Sequence, residues 1–305
     1  MDKKITFAGF IIALSGAIFF STKAIFVKLA FQSTHVDAIT LLSLRMLFSL
    51  PFYVFAAWLV SKNEGNKPLS RKEGFQIVVL GVLGYYASSL FDFIGLQYVS
   101  AGLERLILFL YPTFAVLINT FYFKSKLNNV QIIALVLTYL GIGIAFLGEL
   151  QTDASNPTFF FGSFMIFLCA VTYSFYLVGT GRMVQNVGVT RYTAYAMLSA
   201  TVGIFIHFLT THTIQSIPFS ATLSGYALAL AIVATVLPSF LMSNGMKRIG
   251  SNNVSIITSI GPVSTIIQAH FFLGEKIILA QIIGTLLVIG GVILIGWQSK
   301  FVKSV

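Results

Sequence analysis

The chain has 305 residues, 57% of them hydrophobic and 9% charged, and its mean hydropathy is +0.90. A soluble domain is about one quarter charged, so the composition excludes an ordinary soluble protein and points to a polytopic membrane protein. A net charge of +10 would suit nucleic acid, but its distribution follows membrane topology instead, and the single cysteine, Cys169, excludes an intrachain disulfide.

A hydrocarbon core of about 30 Å is crossed by about 20 apolar residues of helix. Ten segments meet that length: 5–27, 38–60, 74–95, 101–122, 129–148, 159–179, 190–211, 223–243, 252–272 and 279–297. The first is long and lacks a small-residue cleavage site, so it reads as an anchor and not as a cleavable signal peptide. Connections are short. Only 61–73 and 212–222 have loop-like composition of any length, and no separate soluble domain is expected.

The basic residues orient these segments. With the N-terminus in the cytoplasm, 14 of the 19 Lys and Arg fall at the inner face. Lys28 and Lys276 alone fall in outer loops, and Lys23, Arg45 and Arg105 fall inside helices. That bias is the positive-inside signal of an inner-membrane, multi-pass protein with both termini cytoplasmic.

The chain also repeats itself. Gly95–Gly141 returns at a shift of 150 as Gly245–Gly291 without a gap, with Pro112 on Pro262, Lys126 on Lys276 and Gln131 on Gln281. The earlier segments match at a shift near 153, with Ser21 on Ser174 and Thr40 on Thr193. The unit is five helices used twice, over 5–148 and 159–297. Five is odd, so the second copy enters the membrane from the opposite side. The predicted fold is therefore all-α integral membrane, with ten transmembrane helices as two inverted five-helix repeats. Inverted repeats are a transporter device: two pseudo-symmetric states exchange around a site near the midplane.

Specific stretches carry a family resemblance. They are ALSGAIFFSTKAIFVKLA in the first segment, LLSLRMLF in the second, GLQYVSAGLERLILFLYPTFAVLI across the third and fourth, and GPVSTIIQAHFFLGEK in the second half. Over nearly its whole length the chain resembles the EamA-type branch of the drug/metabolite transporter superfamily. The resemblance implies ten helices, a central cavity and export of amino acids, metabolites or toxic compounds. Small four-helix multidrug members carry a glutamate in the first helix that binds cations and protons. This chain has Lys23 in that helix, a departure from simple cation/proton antiport.

Five charges fall within helices: Lys23, Arg45, Asp92, Glu104 and Arg105. Charges at membrane depth are costly and are functional candidates by default. Against this, Lys23 is expected only about 6 Å from the outer helix end and Arg45 about 10 Å at 1.5 Å per residue, where long side chains can snorkel. The counterparts in the second repeat are Tyr176, Leu198, Met242, Val254 and Ser255, so the scaffold forms without these charges. A solute site or gate is the expected role, with Arg45 and Asp92, the less easily snorkelled two, expected to contact solute or gate it. An ion-pair network closing the outer mouth is the competing account. Three positive and two negative groups suit an anionic or zwitterionic solute better than a bare cation.

Pro112 and Pro262 are symmetry mates expected to kink their helices and free carbonyls into the cavity. Tyr86, Tyr111, Tyr173 and Tyr176, with Tyr85, place phenols at cavity depth, where aromatic walls suit organic solutes; packing alone is the competing reading for each. His207 and His270 read as satisfied interfacial histidines. Gly141 and Gly143, and Gly290 and Gly291, read as close helix packing. No metal-ligand spacing, phosphate loop or nucleophile–base pair is present, so no metal, cofactor or enzymatic activity is expected. The predicted function is secondary transport, as an exporter of a small amino-acid-like or organic-anion metabolite by alternating access. The alternatives are a multidrug exporter of aromatic cations and, from another class, a membrane-embedded enzyme or channel. Expected partners are the solute and membrane lipid; proton coupling and a homodimer stay open.

Overall fold

The structure is a computed structural model, and it describes residues 6–62, 68–111, 113–114, 117–118, 129–152, 157–249, 257–258 and 260–301. No strand occurs among them. The helices are α1 (Phe7–Thr34), α2 (Ala38–Ser61), α3 (Arg71–Leu96), α4 (Ala101–Leu108), α5 (Asn129–Thr152), α6 (Phe159–Val187), α7 (Val189–Thr211), α8 (221–249), α9 (Ile260–Leu273) and α10 (Leu279–Phe301).

Helix starts are written in the sequence. Thr6, Asp37, Ser70, Ser100 and Ser220 each accept a hydrogen bond from a first-turn backbone amide, at α1, α2, α3, α4 and α8 respectively. Each satisfies one of the donors that a helix start leaves free. At α3, Glu73 reaches back to the amide of Ser70 and completes a capping box. Gly188, at φ 86°, turns the chain between α6 and α7, a conformation that favours glycine.

Among the described residues, six helical stretches are long and apolar enough to cross a membrane: α1, α2, α3, Phe159–Thr180, α7 and Ala221–Met242. Val136–Gln151, Ile260–Leu273 and Leu279–Gly291 are shorter apolar helices. The expectation of ten full spans is thus met in part. Within the expected 101–122 segment, α4 ends at Leu108 and the chain turns at Phe109–Leu110 before further helical residues from Tyr111; α9 begins at Ile260, and most of the expected stretch from 252 to 259 lies outside the described residues. Two helices are longer than the hydropathy implies: α1 runs to Thr34 and not to 27, and α6 to Val187 and not to 179. Lys28, expected in an outer loop, lies inside α1.

The helices pack in reciprocal pairs. α5 lies along α10, and α2 along α7. α1 packs on α8 and α9, while α6 packs on α3 and α4. Gly141 of α5 and Gly284 of α10 face each other: a Cβ on Gly141 would sit 2.6 Å from the carbonyl oxygen of Gly284. The close packing expected at Gly141 therefore exists, against Gly284, whereas a Cβ at Gly143 or Gly290 would meet nothing within 4 Å. One apolar core joins α1, α2, α3, α7 and α8 around Leu41, Tyr53, Phe93 and Ile204. A second joins α4, α5, α6 and α10 around Leu103, Ile142, Ile166 and Val288. Large apolar side chains such as Phe55, Phe75, Phe160 and Leu209 are half exposed or more, the pattern of a lipid-facing surface.

Two helices carry matched irregularities. α3 is π-helical over Val82–Ala87 and α8 over Ile232–Val236, positions 150 residues apart. A π turn widens the helix and leaves a carbonyl out of register. Thr235 Oγ1 donates to the Leu230 carbonyl at 2.8 Å, and Ser88 Oγ donates to the Gly84 carbonyl. At α8 the cause is legible, because Pro238 just beyond the segment cannot supply a backbone N–H.

Candidate functional site

Three helices converge on one ion cluster. Lys23 Nζ from α1 lies 2.8 Å from Asp92 Oδ2 of α3 and 3.8 Å from Glu104 Oε1 of α4. Asp92 and Glu104 are fully buried, and Lys23 is only 6% exposed. Because α1 continues to Thr34, Lys23 lies 11 residues from that end, or about 16 Å at 1.5 Å per residue. Snorkelling does not account for it. The ammonium that reaches Asp92 belongs to Lys23, and Arg45 does not reach it within 4.0 Å.

Arg45 and Arg105 are buried beside this cluster, at 2% and 5% exposure. Neither has a carboxylate within 4.0 Å among the described residues. Arg45 Nη2 donates to Ser89 Oγ at 3.1 Å, and its guanidinium lies 5.1 Å from the Phe93 ring centre. Arg105 Nη2 donates to Ser21 Oγ at 3.4 Å, and its guanidinium lies 5.1 Å from the Phe20 ring centre. The Nε of each arginine has no hydrogen-bond partner.

Lys23, Arg45 and Arg105 line a cavity with about 140 Å³ of space open to the centres of water molecules. Its aromatic wall is Tyr85, Tyr111, Tyr173 and Tyr176, which touch one another. Tyr85 and Tyr176 meet edge to face at 5.0 Å between ring centres, and Tyr111 and Tyr173 at 5.3 Å. Hydroxyls of Ser88, Ser89, Thr193, Thr235 and Thr258 supply polar points on the wall. Both π-helical segments face it, through Gly84 and Tyr85 on one side and Ala234 and Thr235 on the other.

The cavity is one-sided. It includes Ala17 but nothing beyond Lys23 in α1, and Arg105 but nothing earlier in α4. From there it runs toward the α6–α7 junction, where Val184 and Val189 line it. The opposite end is tied shut by a polar cluster. Glu275, between α9 and α10, accepts from the amides of Ala101 and Gly102 at 3.0 and 3.4 Å. Ser100 Oγ donates to Glu149 Oε1 at 2.8 Å, and Gln281 Nε2 of α10 donates to the same oxygen. Lys28 interacts electrostatically with Glu149.

The other predicted residues divide. Tyr111, Tyr173 and Tyr176 line the cavity; Tyr86 does not. It points to α7, with its Oη 3.0 Å from His207 Nδ1. One residue along an α-helix turns a side chain by about 100°, from 3.6 residues per turn, so Tyr85 takes the cavity and Tyr86 the helix interface. His207 and His270 both have partners, as expected: His270 Nδ1 lies 3.0 Å from the Glu275 carbonyl oxygen. Pro262 is buried in the first turn of α9, where its missing N–H leaves no bond within α9 unmade. Pro112 lies outside the described residues. Glu149, Glu275 and Ser100 were not singled out in the sequence, since each reads as an ordinary interfacial or capping residue. The Ser100–Glu104 start of α4 was the one available signal.

The comparisons agree with this architecture. The model of the EamA-like transporter family matches residues 7–147 and again 160–297. The uncharacterized transporter YcbK of Bacillus subtilis (strain 168) is 32% identical over 97% of this chain and 95% of its own length. The uncharacterized inner membrane transporter YicL of Salmonella typhimurium is 20% identical over 96% of each. A protein of known crystal structure superposes with a TM-score of 0.68, covering 97% of this chain and 99% of the other. At 19% identity, that likeness shows the fold alone. Two matches of the family model account for nearly the whole length, and the chain belongs to the EamA-like transporter family, a branch of the drug/metabolite transporter superfamily.

Proposed function

We propose that this membrane transporter is a secondary carrier that exports a small amino-acid-like or organic-anion metabolite by alternating access. The observation that carries the proposal is the one-sided cavity. Lys23, Arg45 and Arg105 sit at its blind end, and the Glu275–Glu149 cluster ties the helices beyond. A carrier needs a site reached from one side at a time, and here the cavity extends toward one end of the bundle while the other end is tied.

The same reading takes the chain as two inverted five-helix units. Support comes from the reciprocal helix pairs, the matched π turns and the near-equal lengths of α1 and α6, 28 and 29 residues, and of α5 and α10, 24 and 23. In a bacterial-type inner membrane with cytoplasmic termini, the cavity opens inward and the tied end faces out. Export then begins with loading from the cytoplasm.

The aromatic wall favours a second reading, a multidrug exporter of aromatic cations. The cationic side chains oppose it. Counterflow in proteoliposomes tests the proposal. Preloaded unlabelled solute should drive saturable accumulation of the labelled solute. Linear, non-saturable flux would indicate a pore, and chemical conversion of the solute without flux an enzyme.

A further inference from the structure

The geometry points to one substrate class for this cavity, within the carrier reading above: a small carboxylate with a flat, unsaturated body and no ammonium group. The first observation is the sign of the wall. Three cationic side chains line the cavity, and among the described residues no carboxylate does. Asp92 and Glu104 stand behind Lys23, fully buried. The chain has only nine acidic residues. The three outside the described residues, Asp2, Glu64 and Asp153, fall in the sequence at the N-terminus and in connections between helices. A solute ammonium entering the cavity would lose its water, meet no carboxylate and approach two arginines, which is unfavourable at low dielectric.

The second observation is unused donor capacity. A guanidinium has five N–H donors and pairs a carboxylate through two parallel bonds. Arg105 spends one on the Ser21 hydroxyl, Arg45 Nη2 donates to the Ser89 hydroxyl and weakly, at 3.8 Å, to the Met46 sulfur, and the Nε of each is buried without a partner. The hydroxyls and the Phe93 and Phe20 rings fix the forks without neutralising them. Buried and unpartnered, these donors call for an acceptor from the solute.

The third observation concerns the tyrosines. Tyr85 packs edge to face on Tyr176 and Tyr111 on Tyr173, while Tyr173 stacks on Tyr176 at 5.8 Å. Rings committed to each other make a wall against which a flat group packs. They do not form the open cage that holds an ammonium by its faces.

Three probes that share a phenyl-ethyl skeleton separate the classes: 3-phenylpropionate, an anion; L-phenylalanine, a zwitterion; and phenethylamine, a cation. Binding to the purified full chain is read by ligand-dependent thermal stabilisation, and transport by counterflow in proteoliposomes. The expected result is that 3-phenylpropionate binds at least tenfold more tightly than either amine. Arg45→Gln and Arg105→Gln should each weaken that binding tenfold or more, with phenethylamine binding unchanged or tighter. Equal or tighter binding of L-phenylalanine or phenethylamine by the wild-type chain overturns the inference, as does an absence of saturable 3-phenylpropionate binding at millimolar concentration. These wild-type comparisons decide even where a variant fails to insert. Tight, anion-selective binding without counterflow would remove the carrier reading and leave the anion selectivity standing. Counterflow of an amine without anion binding would do the reverse.

Discussion

Lys23 and Arg45 carry the same charge but hold different positions in the energetics. Lys23 is the only cation within 4.0 Å of Asp92 and Glu104 among the described residues, so removing it strands two buried carboxylates. Breaking a buried pair from one side costs about 3–5 kcal/mol, whereas replacing both partners with apolar groups is often near neutral. Lys23→Met should therefore lower the thermal stability of the purified protein by that amount, and Lys23→Met with Asp92→Leu should recover the part owed to Asp92 at 2.8 Å, leaving only the share of Glu104 at 3.8 Å. Arg45 strands no carboxylate. Its one hydrogen bond to oxygen is to Ser89, so Arg45→Gln should cost about 1 kcal/mol, the net worth of one hydrogen bond. The check is the midpoint of unfolding for all four proteins. Equal losses for Lys23→Met and Arg45→Gln, or no recovery in the double variant, would contradict this division of roles. Substitution at Gly261 probes the second arginine. An added Cβ would sit 2.9 Å from Arg105 Nη2, the far end of a flexible side chain. Gly261→Ala should thus displace the guanidinium, weakening solute binding severalfold with a stability change under about 1 kcal/mol, within the range of small surface-like substitutions.

At the scale of elements, the helices meet across the tied end through α4. Its first-turn amides would be unsatisfied donors, and Glu275 accepts from two of them. Hydrogen bonds to a charged acceptor are worth about 1.5–3 kcal/mol each. Glu275→Gln keeps the shape and lowers the charge. A loss of about 1.4 kcal/mol on the closed side shifts the population of the open form about tenfold. Cys169 is a native reporter: it is 3% exposed and lines the cavity, with its Sγ 4.0 Å from Asp92 Oδ1. In Glu275→Gln, an impermeant thiol reagent applied at the tied end should label Cys169 about tenfold faster than in the unsubstituted chain. Unchanged labelling would mean that the tie is not the gate.

How far these elements were legible depends on the forces that made them. Hydropathy located the apolar runs, because transfer from water decides them. It ended α1 too early, since Lys28 and Gln32 look like the start of a loop. The helix continues because Ala30 is completely buried against its neighbours, and tertiary packing outweighs local polarity there. The charge cluster was visible because a buried charge is rare in any sequence. Its pairing was not, since Lys23, Asp92 and Glu104 meet only after three helices pack. Glu149 and Gln281 are 132 residues apart and each looks unremarkable alone. The π turn at Val82–Ala87 has no proline to announce it, unlike its counterpart before Pro238.

For the whole molecule, the sidedness of the cavity gains meaning only with an orientation. The α6–α7 junction, toward which the cavity runs, lies at the same end as Lys62, Arg71, Lys72 and Arg191, and at the end where the N-terminal helix begins. Lys28 is now inside a helix, so of the two basic residues assigned to outer loops Lys276 alone remains in a connection. A surplus of Lys and Arg on one side of a membrane marks the cytoplasmic side. In the orientation proposed above, the cavity faces the cytoplasm and the Glu275 tie faces outward. Two exposed positions test this. Thr213 lies between α7 and α8 at the tied end, and Asn186 at the end of α6 near the cavity mouth. Thr213→Cys should react with an impermeant thiol reagent added to intact cells, and Asn186→Cys only after permeabilisation. The native cysteine is buried, so it should contribute little background in the intact cell. The reverse pattern would turn the molecule over. The cavity would then open outward, the Glu275 tie would guard the cytoplasm, and the same site geometry would describe a state that loads solute from outside.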